Sequence, residues 1–459
     1  MFTSKQNENI YTELDDDQED IVLVDTNDDT EIQDEKTKEN MIICKLSNFL
    51  YGYCVSIVPI VTRIHEILYN SEETWISSLL SSSIFVGSLI GLLLFGIIGD
   101  RFGRVTGIRI CMVIVFIGTL GSAFAFPCLN LTTPQVFIIF RIISGIGNGG
   151  MLPLTMVLTA ESKHHEKKKN GVLLGLLQSF GWLIGPSCFY LFFSLPGVTT
   201  TLYSYAWRLA MLLPIIAPLY SFFHPLHEST TYLLHNINKN KHSLKVYIMN
   251  ICKLKYIKLL IGTGFTYLIY DIVSYGTTII APHILSYVFE LGRTPKDAAF
   301  STIIAGTFGT IGQFFSYKLI KKQGPYSLML QGFLMNVFVF LFTQFSIEHK
   351  FNPLLILIIF YFCFFFTNYG PGTSCIILPS LTYPSQVRTT FYALSAGLGK
   401  VGAVLGSGGF VMIFNQYGIY KLLQICALLS LIGAILTFLF VKRDTQETET
   451  SYSTSNESL

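Results

Sequence analysis

Residues 76–126 read ISSLLSSSIFVGSLIGLLLFGIIGDRFGRVTGIRICMVIVFIGTLGSAFAF. Two apolar runs, 76–98 and 106–126, are separated by a short charged turn that includes Asp100, Arg101 and Arg104. A bilayer hydrocarbon core about 30 Å thick needs roughly 20 apolar residues per helix. Each run meets that length. Inside lipid every backbone polar group must be satisfied within its own segment, so both runs are expected to be membrane-spanning α-helices. The turn between them is too short for anything but an antiparallel hairpin.

The rest of the chain repeats this pattern. Of 459 residues, 51% are apolar and 13% charged, with 38 Phe. A soluble protein of this size could not bury that much apolar surface behind so few surface charges. Applied throughout, the same length criterion gives spans near 42–62, 76–98, 106–126, 135–159, 171–193 and 204–223. A polar stretch follows, and then spans near 256–280, 299–319, 327–346, 354–379, 387–414 and 419–441. The first is the weakest, because Lys45 and Asn48 interrupt it. The expected fold is therefore an all-α integral membrane protein of twelve transmembrane helices in two six-helix halves, as in paired transporter repeats. The expected divisions are an acidic disordered tail at 1–41, a first half at 42–224, a linker at 225–254, a second half at 255–441 and a polar tail at 442–459.

Lys and Arg orient the chain. One set of loops holds Arg101, Arg104, Arg109, Lys163, Lys167, Lys168, Lys169, the lysines of 239–258, Lys318, Lys321, Lys322, Arg388, Lys442 and Arg443. The alternate loops hold only Arg63, Arg293, Lys296, Lys350 and Lys421. Both termini are expected in the cytosol, in the plasma membrane or an organellar membrane. No secretory signal is visible, since the first residues are polar and acidic. The sequon Asn130-Leu131-Thr132 falls on the opposite side, where glycosylation is permitted. The Cys residues stand mostly singly in apolar stretches (Cys111, Cys188, Cys363, Cys375, Cys426) and read as small hydrophobes. Neither a metal cluster nor a nucleophile elbow, P-loop or nucleotide fingerprint occurs, so no enzyme, cofactor or metal is expected. No basic stripe for nucleic acid stands out.

The turn itself, Gly96-Ile-Ile-Gly99-Asp100-Arg101-Phe-Gly103-Arg104, carries more information. Gly99 and Gly103 are expected to make the tight connection, and Asp100 to meet a helix dipole and nearby arginines. This stretch closely resembles the loop motif of the major facilitator superfamily, which implies a gating role for Gly96, Asp100, Arg101, Gly103 and Arg104. The equivalent stretch of the second half, Leu319-Ile-Lys321-Lys322-Gln-Gly324-Pro325, lacks the acid. In the fourth span, Arg141 to Glu161, the pattern Gly-x-Gly-x-Gly-Gly gives a face where a neighbouring helix can approach closely. Arg141 lies inside the apolar stretch, about 30 Å from Glu161 at 1.5 Å per residue, and an ionisable residue there is read as functional. Arg141, Glu161 and Arg388 are taken as conformational elements. His227-Glu228-Ser229-Thr-Thr-Tyr232 resembles a segment shared by the sugar, organic-ion and phosphate branches.

The second half is more specific. Asn368-Tyr-Gly-Pro371, Ser395-Ala-Gly-Leu-Gly-Lys400-Val-Gly-Ala, and the seventh-span residues Gly262-Thr263, Asp271, Tyr275 and Gly276 resemble the phosphate:proton symporter branch. The bare spacing, apart from the resemblance, brings an acid and a base to one depth. Tyr267, Asp271 and Tyr275 are four apart and stack on one helix face. Asp271 and Lys400 each lie about 18 Å into their spans, at mid-depth. The resemblance implies that Gln178, Tyr267, Asp271, Tyr275 and Lys400 line the substrate site and that Asp271 carries the coupled proton. An intramembrane Asp–Lys pair that only ties two helices, and a Gln178 that only bonds a neighbouring helix, are the plainer readings.

The first half departs from that branch. Gly149-Gly150-Met151-Leu152-Pro153 stands where the branch has an acid and a phenol, the first-span acid is missing around Tyr51-Gly52-Tyr53, and Gly372 replaces an Asn. The expected partners are a small anionic substrate (phosphate or an organic acid), a proton and the lipid bilayer, with the chain acting as a monomer. A facilitator or symporter of an organic cation or sugar is the alternative. A non-transporting membrane sensor with the same fold is the alternative of another class.

Overall fold

The computed structural model describes residues 26–69, 74–161, 167–224, 226, 254–289, 294–384 and 387–441. Residues 1–25, the expected linker from 227 to 253 with His227-Glu228-Ser229, and the tail from 442 lie outside the described residues.

Ten helices are long and apolar enough to cross a membrane, and a pair bent by 40°, Asn40–Ser56 with Val58–Tyr69, makes one more. The helix Pro295–Glu348 is broken at Gly324, whose φ of 72° only glycine adopts readily, and so supplies two spans. Among the described residues this gives the twelve spans expected. We number them in chain order. The first half comprises the bent pair (span 1), Leu79–Phe102, Arg104–Ala123, Thr133–Ala160, Lys169–Phe193 and Thr200–Phe223 (spans 2–6). The second half comprises Tyr256–Ser286 (span 7), 295–323 and 325–348 (spans 8 and 9), and Pro353–Thr382, Arg388–Phe414 and Gln416–Phe440 (spans 10–12). Apolar side chains such as Leu94, Leu209, Phe338 and Phe438 remain exposed on the outside, as a lipid-facing surface requires.

Two differences from the sequence reading have local causes. The first helix starts at Thr26, so residues 26–41, expected in the disordered tail, are helical. Their Glu and Lys are good helix formers, and a helix already anchored in the bundle extends without a new nucleus. The first span is also longer than expected and breaks after Ser56. Pro59 has no N–H to continue the ladder, and Arg141 Nη2 donates to the Cys54 carbonyl at 3.1 Å. Asn48, which weakened that span on paper, donates to Cys44 O at 2.8 Å and to Thr155 Oγ1 of span 4 at 3.1 Å.

The glycine face of span 4 packs as its spacing implied. A Cβ on Gly149 would stand 2.2 Å from Ser88 O, and one on Gly145 would stand 2.6 Å from Ile84 O, so span 2 lies directly against it. Gly408, by contrast, has nothing within 4 Å. Gly149→Ala is expected to destabilise the protein by about 1–3 kcal/mol through overpacking, and Gly408→Ala to leave it near wild type. Thermal melting of the detergent-purified variants checks this; equal melting points would contradict the packing.

Candidate substrate site

Span 7 enters the bundle as an α-helix, passes through a π-helical turn at Ile261–Phe265 and continues as helix Thr266–Phe289. Its 267/271/275 face meets span 11. Lys400 Nζ donates to Asp271 Oδ2 at 3.1 Å and to the Tyr275 hydroxyl at 3.4 Å. Both charges are buried, with Asp271 1% and Lys400 3% exposed. The ammonium also lies 5.0 Å from the centre of the Tyr275 ring and 5.8 Å from that of Phe85 on span 2. The predicted acid and base thus do reach the same depth and form one ion pair. Tyr51 shares a buried cluster with Tyr275, and Tyr267 stands one turn before Asp271 on the same helix.

Tyr267 is buried beside the pair, with its ring against Gly399. Leu152, which stands where a phenol was expected from the resemblance, belongs to the same apolar cluster. Tyr51 of span 1 drew notice only for the acid missing around it. Its hydroxyl is buried with no hydrogen-bond partner, as is that of Tyr392 on span 11. A phenol in an apolar helix gives no sequence signal that separates packing from binding.

Among the described residues, Gln178 forms no hydrogen bond with the pair. It lines a cavity between spans 5, 7, 8 and 10, together with Ser274, Tyr275, Gln313 and Asn368. Some 580 Å³ of space not filled by atoms lies among these residues, part of it opening beyond them. Tyr275 belongs to both places: its hydroxyl meets Lys400, and the residue also lines the cavity. Asn368 sits where span 10 forms a π-helical turn, Asn368–Gly372, around Pro371, whose missing N–H interrupts the ladder. The motif containing Asn368 was recognised, but its place on the cavity wall was not. Gln313 went unmarked altogether.

The gating residues divide. Asp100 is in the last turn of span 2, not at the start of a helix, and Gly99 is helical; Gly103, with φ 105°, makes the turn alone. The dipole that Asp100 meets belongs to the other half. The Thr389 N–H donates to Asp100 Oδ1 at 3.2 Å, and the Thr390 N–H donates to Oδ2 at 2.8 Å. The Thr390 hydroxyl lies 2.8 Å from Oδ2 and 3.1 Å from Gly96 O. Asp100 therefore caps the first turn of span 11, with Arg104 Nη2 3.4 Å behind it. Gly96 lets the helices close, since a Cβ there would be 2.5 Å from Ala393 Cβ. Arg388 donates from Nε to Tyr383 O at 2.9 Å, and Arg101 is exposed. Burial pushes the Tyr383 phenol up to about 12, so it stays a neutral partner for Thr263, 2.9 Å away. Arg141 is bound at the span 1 break, with Met211 Sδ at 3.8 Å. Of Glu161 only the backbone, at the end of helix Thr133–Glu161, is described. Asn130 is exposed, at positive φ, beside the Cys128–Leu131 bridge at the other end of the bundle.

The Major Facilitator Superfamily family model matches residues 45–407. The chain belongs to this superfamily. Among members with curated names, it is 26% identical over 416 residues to inorganic phosphate transporter PT2 of Toxoplasma gondii, covering 88% of this chain and 72% of that protein. It is 25% identical over 401 residues to glycerophosphoinositol permease 1 of Candida albicans, covering 85% and 75%. Among solved structures of the superfamily, the proton:xylose symporter XylE bound to 6-bromo-6-deoxy-D-glucose superposes with a TM-score of 0.71 at 20% identity, over 89% of this chain and 97% of that one. That likeness is one of fold.

Two outcomes follow from this geometry. Removing one member of a buried ion pair strands the other, at about 3–5 kcal/mol. Asp271→Asn and Lys400→Gln are each expected to lower the melting temperature, and the double variant to recover most of the loss. A double variant as unstable as the worse single would show that the charges do not need each other. Asp100→Ala is expected to raise the labelling rate of a cysteine placed at Ala393 by a membrane-impermeant thiol reagent added on the basic face. An unchanged rate would mean that the Asp100 cap does not hold that face closed.

Proposed function

We propose that the protein is a secondary transporter that carries a small anion, inorganic phosphate or an organic acid, across the membrane by alternating access and coupled to protons. The observation that carries this reading is Lys400, buried at mid-depth between Asp271 and Tyr275. An ammonium there needs a counter-charge, and an incoming anion can take the place of Asp271. Phenols of Tyr275 and Tyr267, with the unpartnered Tyr51 hydroxyl in the same buried cluster as Tyr275, supply hydrogen bonds to an oxyanion.

The coupling follows from charge balance. In the structure the pair sums to zero. If a monovalent anion binds Lys400, Asp271 loses its partner and takes up a proton, and the site again sums to zero. A neutral site avoids the cost of moving net charge through a low-dielectric bundle. Proton uptake and anion binding thereby become one event, with Asp271 as its proton-binding group. The acids missing from the first half leave that work to Asp271 alone.

Gating is read from Asp100. Its cap on span 11 joins the halves on the face that carries the basic loops, and the excess of Lys and Arg assigns that face to the cytosol. The names of the relatives agree with an anionic cargo. A carrier of neutral polyols or sugars is the second reading, favoured by the carboxamide-lined cavity beside Tyr275. In that case the Asp271–Lys400 pair is a fixed tie between helices.

Proteoliposomes separate the readings. Labelled phosphate is expected to accumulate under an inward proton gradient and to stop when a protonophore collapses it. Asp271→Asn is expected to abolish accumulation and keep part of the phosphate exchange. If xylose or an organic cation moves while phosphate and carboxylates neither move nor compete, the anion reading is lost. Unchanged accumulation by Asp271→Asn would make Asp271 structural.

A further inference from the structure

The cavity beside Tyr275 differs chemically from the ion pair it adjoins. Among the described residues its wall contains no charged side chain, but three carboxamides converge on it from both halves: Gln178, Gln313 and Asn368. Gln313, only 2% exposed, has a buried Nε2 without a partner, and Gln178 has a buried Oε1 without one. A buried donor or acceptor left unpaired keeps its full desolvation penalty. The neighbouring hydroxyls are already satisfied locally, since Thr310 donates to Ser179 O at 3.2 Å and Thr278 to Ser274 O at 2.8 Å. Asn368 likewise donates from Nδ2 to Phe364 O at 3.0 Å, so Gln313 and Gln178 are the groups with capacity to spare. Room is kept for them: a Cβ on Gly175 would stand 2.7 Å from Gln313 Nε2, and one on Gly309 would stand 2.9 Å from Asn368 Nδ2.

A carboxamide offers a donor and an acceptor side by side, as an alcohol does, whereas an anion asks for donors and positive charge. We propose that this carboxamide chamber is a second subsite that holds the hydroxyl-bearing part of a phosphate ester whose phosphate sits at Lys400, with Tyr275 between them. The inference rests on the anion reading above and narrows it: the preferred cargo is a small polyol monophosphate, with inorganic phosphate filling only the charged end. The orphaned Gln313 nitrogen and Gln178 oxygen then find partners when the ester binds.

The test uses proteoliposomes holding the full chain and three labelled probes: inorganic phosphate, glycerol 3-phosphate and glycerol. Wild type is expected to move both phosphates and not glycerol. Gln313→Leu is expected to lower glycerol 3-phosphate uptake about tenfold, equivalent to one lost hydrogen bond of about 1.4 kcal/mol, and to change phosphate uptake less than about twofold. Retained phosphate uptake also shows that the variant is folded. If Gln313→Leu fails to fold, Gly175→Ala, whose added methyl presses on the Gln313 amide, must show the same selective loss. Phosphate uptake with no transport of, or competition by, glycerol 3-phosphate overturns the subsite and leaves the anion reading standing. An equal loss of both substrates in the variants overturns it as well. If neither phosphate moves, the anion reading fails and this inference falls with it.

Discussion

Lys400 Nζ and Asp271 Oδ2, 3.1 Å apart and sealed inside an apolar bundle, hold one another in place because neither charge could stay there alone. This one requirement fixes the angle and register of spans 7 and 11 at mid-depth. It also sets what can happen next, since any ligand that draws Lys400 away must be negative, and Asp271 must then be neutralised. Span 11 carries a second duty on the same rod. Its first turn, at Thr389 and Thr390, is capped by Asp100 of the other half. Thr389 and Lys400 are separated by about 16 Å of continuous helix, so the contact between halves and the ion pair lie on one rod. The proposed gate and the proposed site are two ends of one helix.

The two halves contribute unequally around this rod. The second half supplies the charges, on spans 7 and 11. The first half supplies apolar and neutral surface: Phe85 under the ammonium, Tyr51 with its unpartnered hydroxyl, and Leu152 in the buried cluster that holds Tyr267. A site charged on one side and neutral on the other suits a cargo with the same asymmetry. The carboxamide chamber, walled from both halves, lies past Tyr275 and offers hydrogen-bonding capacity without charge.

Much of this was legible in the chain. Hydropathy located the spans because lipid imposes a length on each. The spacing of Tyr267, Asp271 and Tyr275, with the depth of Lys400, placed the ion pair, because an intramembrane charge has few places to go. What escaped was whatever depends on distance between helices that are far apart in sequence. Asp100 looked like the cap of its own hairpin, and its partners are backbone groups of Thr389 and Thr390, which no sequence pattern marks. Gln313 carries no mark in the sequence and Asn368 only the mark of its motif, and it is the cavity that brings both beside Gln178. The break in span 1 hid behind Pro59, because the Arg141 that satisfies its carbonyl lies in another span.

The central claim is that an anion takes Lys400 from Asp271. A structure of the protein soaked with a heavy-atom oxyanion in place of phosphate, such as tungstate, tests it most directly. The account predicts anomalous density within hydrogen-bonding distance of Lys400 Nζ and Tyr275, with Asp271 moved out of contact. Density elsewhere in the bundle, with the Asp271–Lys400 bond still closed, would contradict it.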